Sequence, residues 1–302
     1  MKLSTLLEKA AEKQNVTVAV AAAEDPEVLD AISQAVNRDF GSFILFGDKD
    51  KLDVLLSEKY TNLLDNPFVC IRHAKSDKEA AELSVKAVHA QQAAVLMKGN
   101  LQTAVLLKEV LNKDYGLRTG NVLSHVAVFE TPRFERLIFV TDAAMNIEPG
   151  LEQKAQIVQN AVSIATGIGI HCPRVAPIAA VEVVNPAMQA TADAALLTQM
   201  NRRGQIKGCI LDGPLALDNA ISMEAAKHKG LKSETAGQAD ILLMPNIETG
   251  NVLYKSLIYF AGAKVGGIIA GAEAPIVLTS RSDSAESKLY SIALAICSAT
   301  NH

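Results

Sequence analysis

The densest gathering of groups able to handle an anion is Ile276–Glu286, which reads IVLTSRSDSAE. An apolar run ends there in Thr279, Ser280, Ser282 and Ser284, with Arg281 and Asp283 between them, where helical periodicity begins. An arginine fork flanked by hydroxyls and by the free amides of a helix start suits a phosphate. The spacing of Asp283 and Glu286 also suits a capped helix. Capping uses one or two of these residues and leaves Arg281 without a role, so both readings stay open.

Four other junctions of the same kind follow apolar runs. In open α/β sheets ligands bind beyond the carboxyl ends of strands, where helix amides point at them. Asp240–Tyr254, DILLMPNIETGNVLY, offers Asn246, Glu248, Gly250 and Asn251, with Lys255 on the helix that follows. These residues suit either a turn and cap or the recognition of a polar ligand. Asp212 and Asp218 flank a Gly-Pro turn, Asp142 and Asn146 follow the run ending at Thr141, and Lys98 stands beside Gly99. Each is an ordinary loop taken singly; five in one chain favour a ligand site.

Several chemistries lack their signatures. No GxxxxGK[ST] loop occurs, and Gly167-Ile168-Gly169 follows a helical stretch, where it reads as a helix end. Gly266, Gly267 and Gly271 sit in or beside an apolar run, where close packing explains them. The four cysteines, Cys70, Cys172, Cys209 and Cys297, form no CxxC and read as reduced, buried small residues. His171 beside Cys172 is the nearest approach to a metal cluster, and adjacent residues seldom ligate one ion. No metal is expected.

The elements that must position these groups alternate regularly. Eleven short apolar runs serve as strands: Val16–Ala22, Phe43–Phe46, Phe68–Ile71, Ala94–Met97, Val122–Phe129, Leu137–Thr141, Val175–Val184, Lys207–Leu211, Ile241–Met244, Lys264–Ile269 and Ile276–Leu278. Most are continuously apolar, as parallel strands buried on both faces are. Amphipathic stretches lie between them: Pro26–Asn37, Asp77–Gln92, Leu101–Asn112, Leu151–Thr166, Met188–Arg203, Leu215–His228, Gly250–Phe260 and Ser284–Ser298. Alternation of this kind predicts an α/β chain with largely parallel sheets. An antiparallel pair, Val122–Phe129 with Leu137–Thr141, precedes the Glu148–Gly150 punctuation, a plausible hinge.

The 302 residues make two domains the prior expectation. Apolar residues make up 49% and charged residues 21%, which excludes a disordered chain. No apolar run reaches the length of a membrane span, and Met1–Gln14 carries charges where a secretory signal would be apolar. A cytoplasmic chain without membrane contact is expected. A net charge of −4, 4% aromatics and no tryptophan speak against a nucleic-acid partner.

At these junctions the sequence resembles the phosphate acetyl/butyryltransferase family. The resembling segments are LMKGN (96–100), LSHVAVFE (123–130), TDAAMNIEP (141–149), VNPAMQATADAALLTQMNRRGQI (184–206), DGPLALDNAIS (212–222), ADILLMPNIETGNVLYK (239–255) and PIVLTSRSDSAESK (275–288). The VNP…TADAA segment and the length resemble the butyryl branch. The resemblance implies reversible transfer of a short acyl group between CoA and inorganic phosphate. The expected mechanism is direct transfer in a ternary complex without metal. A covalent acyl-Ser280 route is disfavoured, because no His follows closely to activate the hydroxyl. CoA and phosphate are substrates, and no cofactor is expected to stay bound.

It also implies two α/β/α domains facing a cleft, isocitrate/isopropylmalate dehydrogenase-like, in a homodimer or higher homo-oligomer. The first domain would be 1–141 plus 274–302 and the second 142–273, with the second crossing near Gly271–Pro275. The family's Ser-Arg pair carries over to Ser280 and Arg281. The acidic position of the acetyl branch is Ser287 here, so Asp283, or less directly Asp218, is the carboxylate left to exchange a proton with the thiol. An arginine of the family is Lys108 here, which keeps the charge and loses the fork. Lys98, Gly99, Lys108, Asp142, Asn146, Asp218, Asn246, Glu248, Gly250, Asn251 and Lys255 are the expected substrate contacts. A metal- and nicotinamide-dependent dehydrogenase on the same fold, acetyl-type specificity, and a CoA-binding protein without chemistry are the alternatives.

Overall fold

The computed structural model describes residues 1–13, 16–279 and 283–299. In chain order it begins α1 (Leu3–Glu12), β1 (Thr17–Ala21), α2 (Pro26–Val36), β2 (Ser42–Gly47), α3 (Lys49–Lys59) and β3 (Val69–His73). There follow α4 (Asp77–His89), β4 (Val95–Lys98), α5 (Thr103–Val110), β5 (Ser124–Glu130), β6 (Ile138–Thr141), α6 (Leu151–Gly167) and β7 (Arg174–Pro177). The rest is α7 (Gln189–Arg202), β8 (Ile210–Leu211), α8 (Leu217–Ile221), α9 (Met223–His228), β9 (Ile241–Leu243), α10 (Ile247–Tyr259), β10 (Lys264–Ala270), β11 (Ile276–Val277) and α11 (Ala285–Ser298).

By contact the chain groups into two compact units. The first comprises residues 4–121 and 266–302, the second 1–3 and 122–265. The divisions therefore fall at 121/122 and 265/266, not at the Glu148–Gly150 and Gly271–Pro275 punctuation. The reason lies in strand pairing. β5 pairs antiparallel with β6, and β6 pairs parallel with β9, which ties the hairpin to the second unit.

In the first unit the strand order is β3-β2-β1-β4-β11-β10, parallel except for β10 against β11. From β1 the chain steps to β2 and β3 on one side, then returns to β4 on the other. Right-handed crossovers put α2 and α3 on one face and α4 on the opposite face. Strands β1 and β4 are thus sandwiched, which is why Val18–Ala21 and Val95–Met97 are fully buried and continuously apolar.

In the second unit the order is β5-β6-β9-β7-β8, and every pairing after the β5–β6 hairpin is parallel. Here α6 and α7 accompany the steps outward to β7 and β8, while α8 and α9 accompany the return to β9. A core of Phe129, Val140, Ala176, Leu242 and Met244 is closed by Leu253, Tyr254, Leu257 and Ile258 of α10.

All eleven expected strands are present among the described residues, with shifted ends. Val175–Val184 shortens to β7: Ile178 and Ala179 still bond Leu243 O and Leu215 O, and the chain beyond them exposes Val183 and Val184. Leu215–His228 is two short helices, broken at Ser222, whose hydroxyl caps α9 by accepting the amide of Ala225 at 3.3 Å. Helices α1 and α3 are additional to the periodicity reading. Cys209 and Cys297 are buried as expected, but Cys70 and Cys172 are exposed. Burial pushes the thiols of Cys209 and Cys297 up to about 11.

Candidate functional site

The first unit carries a topological switch point between β1 and β4, from which the chain leaves in opposite directions. At the end of β4, Gly99 lies flat against the end of β1: its amide donates to Ala21 O at 2.8 Å, and that of Asn100 to Ala22 O at 2.7 Å. A Cβ at Gly99 would run into these carbonyls, so only glycine fits. Lys98 is 6% exposed, and its ammonium donates to the carbonyls of Gly99 and Leu101 at 3.0 and 3.1 Å. It thereby folds the loop that leads into α5. Lys108, in the last turn of α5, is exposed.

Register brings the predicted anion segment to the same edge. Met97 of β4 pairs with Val277 of β11, so Lys98 and Gly99 end beside the strand that leads into Thr279. Ser280 and Arg281 lie outside the described residues. On the far side of that segment Asp283 is half-buried and precedes α11. The cap of α11 is Ser284, not Asp283: its hydroxyl accepts the amide of Ser287 at 3.2 Å. That removes the capping explanation from Asp283.

One cation at this edge was not singled out by the sequence. Lys288 is 3% exposed and donates to the carbonyl of Asp283 and to Glu27 Oε2, the latter at 2.8 Å. It pins the base of the segment to the start of α2. Its signal was a lysine heading the otherwise apolar LYSIALAIC run.

In the second unit the carboxyl ends of β6 and β9 are aligned by the pairing of Thr141 with Leu243. Asp142 is 3% exposed, and its carboxylate is occupied. Oδ1 accepts the amides of Ala144 and Met145 at 2.8 and 3.0 Å, and Oδ2 accepts the amide and side-chain nitrogen of Asn146 at 3.1 and 2.6 Å. Asn146 Nδ2 also donates to Leu123 O at 2.8 Å. Both residues are therefore spent on building the loop after β6, whose first peptide bond, Thr141–Asp142, is cis.

Helix α10 begins at Ile247, earlier than periodicity indicates, because Asn246 caps it: Oδ1 accepts the amide of Thr249 at 3.0 Å and its hydroxyl at 2.7 Å. Gly250 is buried against the loop after β6, where an added Cβ would meet the carbonyl of Asp142 and stand 2.9 Å from Ala143 Cα. Asn251 Nδ2 reaches Ala143 O at 3.5 Å, and Glu248 is exposed. Lys255 is half-buried, its ammonium 5.4 Å from the centroid of the Tyr254 ring. Asp218 is exposed on α8 and accepts the amide of Asn219 at 2.9 Å.

The structure thus gathers Lys98, Gly99 and Asp283 at one edge of the first unit. In the second it gathers Asp142, Asn146, Asn246, Gly250 and Asn251; Asp218 stands on α8. Helix α7 holds a second unforeseen feature. Lys154 of α6 and Asp193 of α7, both 5% exposed, pair at 2.6 Å, and Gln189 Nε2 donates to the other carboxylate oxygen at 2.8 Å. Among the described residues no group of three His, Cys, Asp or Glu side chains is placed to hold a metal ion. No helix among them is long and apolar enough to cross a membrane.

Two runs of parallel strands, with loops and helix starts gathered at their carboxyl ends, define a mixed α/β fold of the dehydrogenase-like kind. A 4-hydroxythreonine-4-phosphate dehydrogenase from Klebsiella pneumoniae shares it at TM-score 0.56 and 14% identity, covering 94% of this chain and 99% of that one, a likeness of fold alone. Within that class the sequence is specific: residues 56–296 match the phosphate acetyl/butaryl transferase family, and the chain belongs to it.

A probable phosphate butyryltransferase of Bacillus subtilis (strain 168) is 56% identical over 100% of this chain and 99% of its own length. A phosphate butyryltransferase of Clostridium acetobutylicum is 51% identical over 98% of this chain and 97% of its own. The crystal structure of a branched-chain phosphotransacylase from Enterococcus faecalis V583 superposes at TM-score 0.82 with 37% identity, covering 95% of this chain and 100% of that one.

Proposed function

We propose that this chain is a phosphate butyryltransferase, moving a short-chain acyl group between CoA and inorganic phosphate: acyl-CoA + phosphate = acyl phosphate + CoA. The observation that carries it is identity above half over essentially the whole chain with a relative of that name, joined to the family match across 56–296. CoA and phosphate enter as substrates, with no resident cofactor. Butyryl, isobutyryl and valeryl thioesters all fall within its range, since one methylene is a weak discriminator.

In the transfer, a phosphate oxygen attacks the thioester carbonyl carbon. The carbonyl π electrons move to oxygen, then return as the C–S bond breaks, and the sulfur leaves as thiolate to take a proton. Holding the two substrates at attack distance removes several kcal/mol of barrier by itself. Arg281 binds the phosphate, and Ser280 hydrogen-bonds the reacting oxygen, which carries the developing charge. Asp283 is the carboxylate for the thiol proton. Lys98, held at the neighbouring strand end, adds positive potential, and Lys108 and Lys255 offer exposed and half-exposed charge to the anionic CoA.

The enzyme works in the cytoplasm, in short-chain fatty acid and butanoate metabolism, as a homodimer or larger homo-oligomer. The exposed Val252, Tyr259 and Phe260 on and just after α10 support self-association, which light scattering on the purified protein tests. The deciding experiment is thiol release from butyryl-CoA with phosphate, repeated with Arg281→Ala. A loss of at least a hundredfold in kcat/KM for phosphate is expected. Unchanged turnover refutes the site; no turnover in the unsubstituted chain refutes the function.

A further inference from the structure

Lys288 stands one turn into α11, where an ammonium is costly on two counts. It is 3% exposed, and burial penalises a charge. It also lies near the positive end of the helix dipole, which favours anions over cations. Its carboxylate partner, Glu27 at 2.8 Å, has a side chain 55% exposed, and a pair open to water on one side returns little stability. Docking α11 on α2 does not need the pair either. Both helices bury apolar residues, Leu29 and Ile32 on α2 and Leu289 and Ile292 on α11, and they pack together.

What the ammonium does hold is a piece of backbone. It donates to the carbonyl of Asp283, which lies outside the helix, one residue before the Ser284 cap. Asp283 follows Ser280, Arg281 and Ser282 directly in the chain. The other end of the tether is fixed. Glu27 belongs to the first turn of α2, where the Val28 amide donates to Asp25 Oδ1 at 3.0 Å and the Tyr60 hydroxyl donates to Pro26 O at 2.6 Å. That helix follows β1 at the switch point, where Ala22 O accepts the Asn100 amide. Through Lys288 the backbone at Asp283 is thus tied to the strand ends that carry Lys98 and Gly99.

We propose that Lys288 is a positioning residue for the phosphate substrate: by fixing the Asp283 carbonyl to the start of α2, it sets where Ser280 and Arg281 meet the phosphate. The assignment rests on the acyl-transfer reading, in which that pair binds phosphate. It goes beyond that reading by giving a buried cation, itself bonded to Glu27 and to backbone, a share in phosphate affinity.

The test is thiol release with phosphate and butyryl-CoA varied in turn, in Lys288→Met and Glu27→Ala beside Arg281→Ala. Lys288→Met keeps much of the apolar length and removes the donor. It is expected to lower kcat/KM for phosphate about a hundredfold, with the phosphate KM raised at least about tenfold and the butyryl-CoA KM changed less than about threefold. Glu27→Ala removes one of the ammonium's acceptors and should raise the phosphate KM about threefold to tenfold. It alters a half-exposed side chain and carries the test should Lys288→Met fail to fold. A lysine serving folding alone would lower the active fraction, and so kcat, with both KM values in place. That result overturns the proposal, as does an unaltered phosphate KM in both variants when Arg281→Ala raises it. An unaltered phosphate KM in Arg281→Ala as well refutes the phosphate site itself, and no turnover in the unsubstituted chain refutes the reaction, two separate outcomes.

Discussion

Replacing Lys154 by methionine should destabilise the second unit by about 3–5 kcal/mol. The pair it forms with Asp193 is 2.6 Å long, with both side chains 6% exposed. At an effective dielectric of about 20 the attraction at that distance is about 6 kcal/mol. Desolvating each ion costs several kcal/mol, so the intact pair is close to break-even against well-packed apolar residues. The single substitution does not return to that balance: it removes the attraction and leaves the Asp193 carboxylate buried, with the Gln189 amide still donating to it. Urea unfolding, followed by circular dichroism, measures the loss, and for a unit of this size it corresponds to a Tm lower by about 6–20 °C. The double variant Lys154→Met with Asp193→Leu should recover most of it. A single variant within about 1 kcal/mol of the unsubstituted protein, or a double variant no better than the single, would refute the reasoning.

Two further outcomes follow from contacts in each unit. Gly250→Ala forces a methyl against the carbonyl of Asp142, and the shift of α10 should cost about 1–3 kcal/mol, read as a lower urea midpoint; an unaltered midpoint would show that the helix is free to move. Tyr115 donates to the Glu109 carboxylate at 2.5 Å, and that bond, helped by burial, pushes its phenol from 10.0 up to about 12. The folded state therefore holds this proton more tightly than the unfolded one. The bond's contribution to stability is complete below pH 10.0 and is lost as pH rises toward about 12. Ultraviolet titration of the phenolate should show one tyrosine returning toward its ordinary value in Glu109→Gln, and an identical titration would contradict the assignment.

Strands were legible because burial on both faces writes itself as an unbroken apolar run, whatever the partner strand. Helix α3 was not: only Leu52 and Leu56 are buried, too few for a visible stripe. In α1 the stripe exists, at Leu3, Leu6 and Ala10, but charges interleave it. At the candidate site, sequence could point to strand-to-helix junctions but could not tell which polar groups their loops consume. Asp142 read as a substrate contact; its carboxylate accepts four hydrogen bonds from its own loop. Lys154 and Asp193 were invisible for the opposite reason. Each is an odd residue on a buried face, at Lys154, Val158 and Ala161 of α6 and at Asp193, Ala194 and Leu197 of α7, and only packing reveals that they meet.

The first unit's strand order has a consequence for how the chain is made. Strand β4 lies between β1 and β11, and the residues of β11 are joined to the chain roughly 180 positions after those of β4. A ribosome therefore exposes β4 with one flank bare while the entire second unit emerges and can fold. Lys13 and Leu6, which bond the chain at Cys297 and Ala299, wait longer still. Newly synthesised first units are for that interval the species open to wrong strand partners, and a stalled or truncated chain ending before Ile276 would display that same bare edge.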